Sequence, residues 1–410
     1  MVAAGIAADV LLTKQPAPVS RAATEPATST SPTPSASATH TNDPANLQDM
    51  LNTESAALLA GNEKGWLAPV ASSAKSTITE YERIYHNMRA MHVTLWGQIA
   101  ISSDPLTTTT AKVPLHVEYC VNVPSCDDTL ATWIIDVRLI SGKATIVGYS
   151  MAKADNDFAV TPLPWQVATL TVATGPRVVV AASGNEASHV KSTLPIVKKA
   201  AAVADRFALW GKPAVYIIYL ADHTEFSKWF SSDASYHRII GLTMSLSRHD
   251  LEVTVVLPDA SRYSGPGGLA DTIQHEMGHV ATLQNEPYDI PNNSFEEGIA
   301  DYCATVGHPS WESGTLAATR QYIRSGKWSH QIYLTKEIMS SNVITANAAY
   351  GIGYLGMKYL AKTYGQDKML AFFGDVIHTE ETLDDASENV FDTPWKTVNA
   401  AAVKYVEAEA

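Results

Sequence analysis

DTIQHEMGHVATL, from Asp271 to Leu283, decides how the second half of this chain is read. The stretch follows a glycine-rich turn, SRYSGPGG, and reads as a helix from Leu269 to about Leu283. Side chains four apart on a helix lie one turn above each other. His275 and His279 can therefore direct their imidazoles at one ion, with Glu276 beside them. The plain alternative is two ordinary histidines on a packed helix. Residue frequencies give roughly a few per cent for one accidental HExxH in a chain this long, so the pentapeptide alone does not settle the matter.

A third ligand would. Downstream lies NNSFEEGIADYCATVG, a second helix with Asn293 and Ser294 as caps and Glu296 and Glu297 in its first turn. Both carboxylates could simply favour the positive end of that helix. Glu297, however, shares a face with Asp301, four residues on, whereas Glu296 has Ala300 at that offset. Glu297 is then the metal ligand, and Asp301 holds the outer nitrogen of a ligating histidine, fixing its tautomer. Glu296 is left as a solvated or substrate-facing charge. Two imidazoles and one carboxylate suit one Zn2+ per chain, with a position kept for water and Glu276 as general base.

HEMGH, 17 intervening residues and then EGIAD resemble the gluzincin zinc metallopeptidases, the group of thermolysin and the M1 aminopeptidases. SFEEGIADY is similar to the corresponding helix of the broader peptidase MA-like proteins. The resemblance implies His275, His279 and Glu297 as zinc ligands, Glu276 as catalytic base and Asp301 as a ligand's partner; the His2Glu set is itself a documented thermolysin property. It also implies that LEVTVVL, Leu251 to Leu257, is the edge strand that borders the cleft and pairs with a peptide backbone. Tyr350 followed by Gly353 is similar to the Tyr-x-x-Gly helix of M1 enzymes, with Ile352 where lysine is expected. That similarity implies an oxyanion donor at Tyr350, beside a core role for it and Tyr354, His308 and His378 as other candidates. The aminopeptidase signature GAMEN and thermolysin-type calcium repeats are absent, which points to a divergent member of the group.

The rest of the 410 residues sets the context. Residues 1–13 are apolar but too short to span a bilayer, a remnant of a signal or anchor and a candidate membrane tether. Residues 14–46 are a Pro/Ser/Thr-rich linker with too little apolar surface to order itself. Residues 47–184 read as a helix-plus-antiparallel-sheet accessory domain. The region from Leu47 to Leu95 is helical, with a stripe of Ile78, Tyr81, Ile84, Tyr85, Met88 and Met91. Strand-like runs follow, two of them joined by Ser141 and Gly142, and WQVATLTV and RVVVAAS continue the antiparallel sheet to Ser183. That element order is similar to cystatin- or NTF2-like domains.

Residues 185–410 form the α+β catalytic core with a C-terminal helical lobe, with helices from Gly314 to Ser325 and from Ser341 through Phe373. The acidic stretch HTEETLDDASENVF is a solvated face, TPWKTVNAAAVKYVEAEA a last surface helix, and Trp229, Trp311 and Trp328 are core rings or groove-lining ones. Cys120 and Cys126 bracket a short loop and suit a disulfide, hence an extracellular or cell-surface setting; Cys303 is a buried small hydrophobe. The net charge of −13 and scattered basic residues disfavour nucleic-acid binding. The expected activity is zinc-dependent peptide hydrolysis. An inactive, peptidase-like binding protein or a hydrolase of non-peptide amides or esters is the alternative.

Overall fold

The computed structural model describes residues 47–101, 106–126, 130–151, 163–230, 240–245, 251–256, 268–285, 292–307, 315–338 and 340–410. The apolar start, the Pro/Ser/Thr-rich linker, the SRYSGPGG turn up to Gly267, His308 and Trp311 lie outside them.

Helices α1 (Leu47–Leu59), α2 (Glu63–Leu67) and α3 (Lys75–Ala90) precede four strands, β1 (Val93–Ala100), β2 (Ala111–Val121), β3 (Leu130–Ile140) and β4 (Lys143–Met151). The strands form one antiparallel sheet in the order β1-β2-β3-β4. The helical reading of 47–95 thus ran too far and merged three helices. Val93, Thr94 and Leu95 start β1 instead, the first two being β-branched and suited to a pleated surface. The predicted stripe on α3 holds: Tyr81, Ile84, Tyr85, Met88 and Met91 are buried. Ser141 and Gly142 make the predicted hairpin, both with positive φ, as a two-residue turn matching the strand twist requires. Inside, Trp96, Trp133 and Trp165 pack with ring centroids 5.7 to 6.1 Å apart.

After α4 (Pro164–Val167) the chain enters a second sheet: β5 (Thr171–Gly175), β6 (Val178–Ala182), α5 (Val190–Ala204), β7 (Tyr216–Ala221), α6 (His223–Phe230), β8 (Gly241–Ser245) and β9 (Leu251–Val256). Its order is β5-β6-β7-β9-β8, with β6, β7 and β9 parallel and both edges antiparallel. The strands assigned from sequence to the first sheet, β5 and β6, therefore belong to the second. LEVTVVL is not an edge strand: β9 is bonded on both sides, and β8 ends the sheet among the described strands.

β6 and β7 are buried at every position because both faces of this sheet are covered. Val178, Val180, Ala182, Tyr216, Ile218 and Leu220 face a core shared with the helices that follow. Val179, Ala181, Ile217, Tyr219 and Ala221 face the core of the first unit. Those helices are α7 (Leu269–Thr282), α8 (Ser294–Thr305), α9 (Leu316–Arg324), α10 (Val343–Tyr364), α11 (Gln366–Ile377), α12 (Leu383–Phe391) and α13 (Trp395–Glu409). Gly365, at φ 93°, breaks the long C-terminal helix in two. The last helix is more than a surface helix: Trp395, Val398, Ala402 and Val406 enter the core. Trp229 and Trp328 are buried core rings. Cys120 and Cys126 are disulfide-bonded, and Cys303 is a buried free thiol.

Glu54 is the one fully buried carboxylate of the first unit among the described residues; Gln98 donates to its Oε2 over 2.9 Å, and its Oε1 has no partner among them. Burial pushes its pKa up to about 8, with the Gln98 bond opposing. The folded state therefore keeps a proton that the unfolded chain, at 4.5, gives up, so stability is full below about pH 4.5 and falls as pH rises toward 8. Melting curves of Glu54→Gln and wild type should nearly coincide near about pH 5 and separate near about pH 9, the variant melting higher.

Candidate metal centre

α7 lies between the sheet and α8, and both helices are set by glycines. A methyl group at Gly278 would stand 3.1 Å from Ala300 Cα and 3.2 Å from Cys303 Cβ, so α7 meets α8 at close range there. At Gly298 a methyl would overlap the carbonyl of Gly353 on α10, and at Gly353 it would overlap the carbonyl of Ser294. Polar ties complete the frame. Gln274 Nε2 donates to the Cys303 and Val306 carbonyls at 2.6 and 2.9 Å, closing the open end of α8. Ser294 Oγ donates to the Ile332 carbonyl and accepts from the Leu334 amide, pinning the start of α8 to the segment before α10.

Within this frame His275, His279 and Glu297 converge, their ligand atoms all within 4.8 Å of one another. The two Nε2 atoms are 3.2 Å apart, and Glu297 Oε2 is 3.3 Å from each. An ion bonded tetrahedrally at about 2.0–2.1 Å would hold its ligand atoms roughly 3.3 Å apart, so the triangle has the dimensions zinc requires. Glu297 Oε2 is buried and faces both imidazoles. His275 Nδ1 stands 2.9 Å from Asp301 Oδ1, the arrangement expected from the spacing of Glu297 and Asp301, and directs Nε2 inward.

Electrostatics favour a cation at the same point. Burial opposes charge on His275, but the hydrogen bonds of Asp301 and Glu297 outweigh it and push its pKa well above the usual range. Glu297 is buried too, yet the neighbouring histidines hold its pKa down at about 2. A divalent ion meets this demand for positive charge more fully than a proton does.

Glu276 is 1% exposed, and burial raises its pKa against the pull of both histidines and a hydrogen bond from Thr243. Thr243 Oγ1, on β8, is 2.6 Å from Glu276 Oε2. Neither Thr243 nor the neighbouring Gly241 was legible beforehand, because in the five-residue strand β8 they lie on the face opposite apolar Leu242, which the alternation alone reads as the solvent side. Glu296 departs from the sequence reading: it is buried, 1% exposed, and its Oε1 accepts from Asn293 Nδ2. Asn293 in turn caps α8 through the Phe295 and Glu296 amides, so this glutamate completes a cap and carries no solvated charge.

Tyr350 and Tyr354 are buried on α10, the latter beneath Lys358 Nζ at 5.4 Å from its ring centroid. His378 Nε2 donates to the Thr282 carbonyl over 2.7 Å, and its ring stacks on Trp210 at 4.3 Å. It thereby closes the end of α7, a role that the oxyanion reading of this histidine did not include.

No family model matches the sequence, and no curated protein matches it. Solved structures that match include a crystal structure of a mutant M1 zinc metallopeptidase from Deinococcus radiodurans, at 13% identity and TM-score 0.38. The alignment covers 75% of this chain and 63% of that one, so the chain spans under two thirds of that protein's length. Among the described residues, His275, His279 and Glu297 form the cluster that could hold a metal ion.

Two substitutions probe the frame and the site. Gly298→Ala sets an overlap with the Gly353 backbone, costing about 3 kcal/mol, against about 1 kcal/mol gained in helix propensity. Urea denaturation should show a net loss of about 2 kcal/mol, with weaker zinc retention. Asp301→Ala should leave the fold intact and weaken zinc binding about 10- to 100-fold in competition with a fluorescent chelator.

Proposed function

We propose that this protein is a zinc-dependent hydrolase that cleaves peptide bonds. The observation that carries the reading is the triangle of His275 Nε2, His279 Nε2 and Glu297 Oε2 with the Glu276 carboxylate beside it. Zinc held by these three residues would supply a Lewis acid for a water and a substrate carbonyl. Glu276 takes the proton released as the water attacks and returns it to the departing amine. Asp301 keeps His275 oriented.

β8, which touches Glu276 through Thr243, ends the sheet among the described strands and suits an extended peptide, whose backbone would continue the sheet beyond it. Tyr350 is the candidate for the oxyanion donor. Retention of glutamate at 276, the one position a metal-binding protein without turnover can do without, favours catalysis over a purely binding role. The Cys120–Cys126 disulfide supports a place outside the cytosol. Among the described residues no helix is long and apolar enough to cross a membrane.

Elemental analysis of protein purified without added metal should find close to one zinc per chain in wild type and in Glu296→Ala, and none in Glu297→Ala. Glu276→Gln should keep its zinc and lose about a hundredfold to ten-thousandfold in the cleavage rate of a peptide mixture followed by mass spectrometry. Zinc-loaded wild type that spares every peptide, or a Glu276→Gln variant that cleaves as fast as wild type, would overturn the reading.

A further inference from the structure

We propose that Thr243, together with Gly241, is the device that positions the Glu276 carboxylate. The inference rests on the reading of Glu276 as the base and adds how that base is held. Glu276 projects from α7 with three rotatable bonds, and a carboxylate free to turn would spend much of its time away from the attacking water. β8 meets it at both oxygens.

Residues two apart on a strand share a face, so Gly241 and Thr243 both present themselves to α7. Thr243 Oγ1 donates to Glu276 Oε2 over 2.6 Å, with the Glu276 backbone carbonyl a more distant 3.3 Å away. Gly241 lies under the other oxygen: a methyl group there would overlap Glu276 Oε1 and stand 2.7 Å from Cδ. One position supplies a donor, and its neighbour supplies the space that lets the carboxylate reach it.

The residue type at 243 is itself informative. It is 1% exposed on a buried strand face, where valine would pack as well and carry no polar group to desolvate. A buried hydroxyl is tolerated there because it has a strong acceptor, and its short partner is the Glu276 carboxylate. With Oε2 committed to Thr243, Oε1 is the oxygen left to exchange the proton.

Thr243→Val removes the donor while keeping shape and β propensity, and Thr243→Ser keeps the donor. Three readouts are made on zinc-loaded protein: zinc content, kcat and KM on the best-cleaved peptide, and crystal structures of wild type and Thr243→Val. The expected result is unchanged zinc content and melting temperature in both variants. In Thr243→Val, kcat should fall about 10- to 100-fold at nearly constant KM, with the Glu276 carboxylate rotated from its wild-type position. Thr243→Ser should restore kcat to within about threefold of wild type.

A Glu276 carboxylate unmoved in Thr243→Val, or a serine variant as slow as the valine one, would overturn the proposal. Glu276→Gln separates the two levels. If it is inactive while Thr243→Val matches wild type, positioning by Thr243 fails and the base stands. If Glu276→Gln is fully active, the base reading fails. Should zinc-loaded wild type cleave no peptide, the crystal comparison still decides whether Thr243 holds the carboxylate.

Discussion

The contact on which the rest depends is the close approach of three helices at their glycines. His275 and His279 are on α7 and Glu297 is on α8, so their ligand atoms lie within 3.3 Å only if the two helix axes come unusually near each other. Gly278 permits that approach, and Gly298 lets α10 back α8 with no side chain between their backbones. A helix braced in this way cannot slide away from the repulsion of buried polar groups. The desolvation of two imidazoles and two carboxylates, a cost of several kcal/mol for each ion taken out of water, is carried by this packing and offset when a cation binds.

The same frame explains why polar residues recur at helix ends around the site. Gln274, Ser294, Asn293 and His378 each satisfy backbone groups at a terminus of α7 or α8 or in the segment running beside them. Helix ends leave unpaired amides and carbonyls, and close packing shuts water out from them. The caps are thus the complement of the glycines, since burying the helix ends as tightly as this requires internal partners.

What could be read beforehand followed from local geometry. The i,i+4 rule placed His275 with His279 and Glu297 with Asp301, and the structure has each pair on one helix face with Asp301 against His275. Strand runs, the Ser141–Gly142 turn and the start of α8 at Asn293 were equally local. The failures at the site were long-range, whereas the merged helices of 47–95 and the break at Gly365 were errors of element boundary. An apolar run such as RVVVAAS declares a buried strand without saying which sheet receives it, so β5 and β6 were assigned to the wrong one. Strand order is likewise invisible along the chain, which is why β9 was taken for the edge and β8, with Thr243 on it, was missed. Glu296 shows the third limit: a helix-face argument says where a side chain points, not whether Asn293 is waiting to receive it.

One further consequence comes from the sheet with two buried faces. Val179, Ala181, Ile217, Tyr219 and Ala221 belong to the same hydrophobic cluster as Trp66, Trp96 and Trp133 of the first unit. Cutting the chain before β5 would strip these side chains of cover and leave an apolar plane facing water, the kind of surface that drives aggregation. The helices and sheet at the front of the chain are therefore the floor on which the half that carries His275, His279 and Glu297 is built.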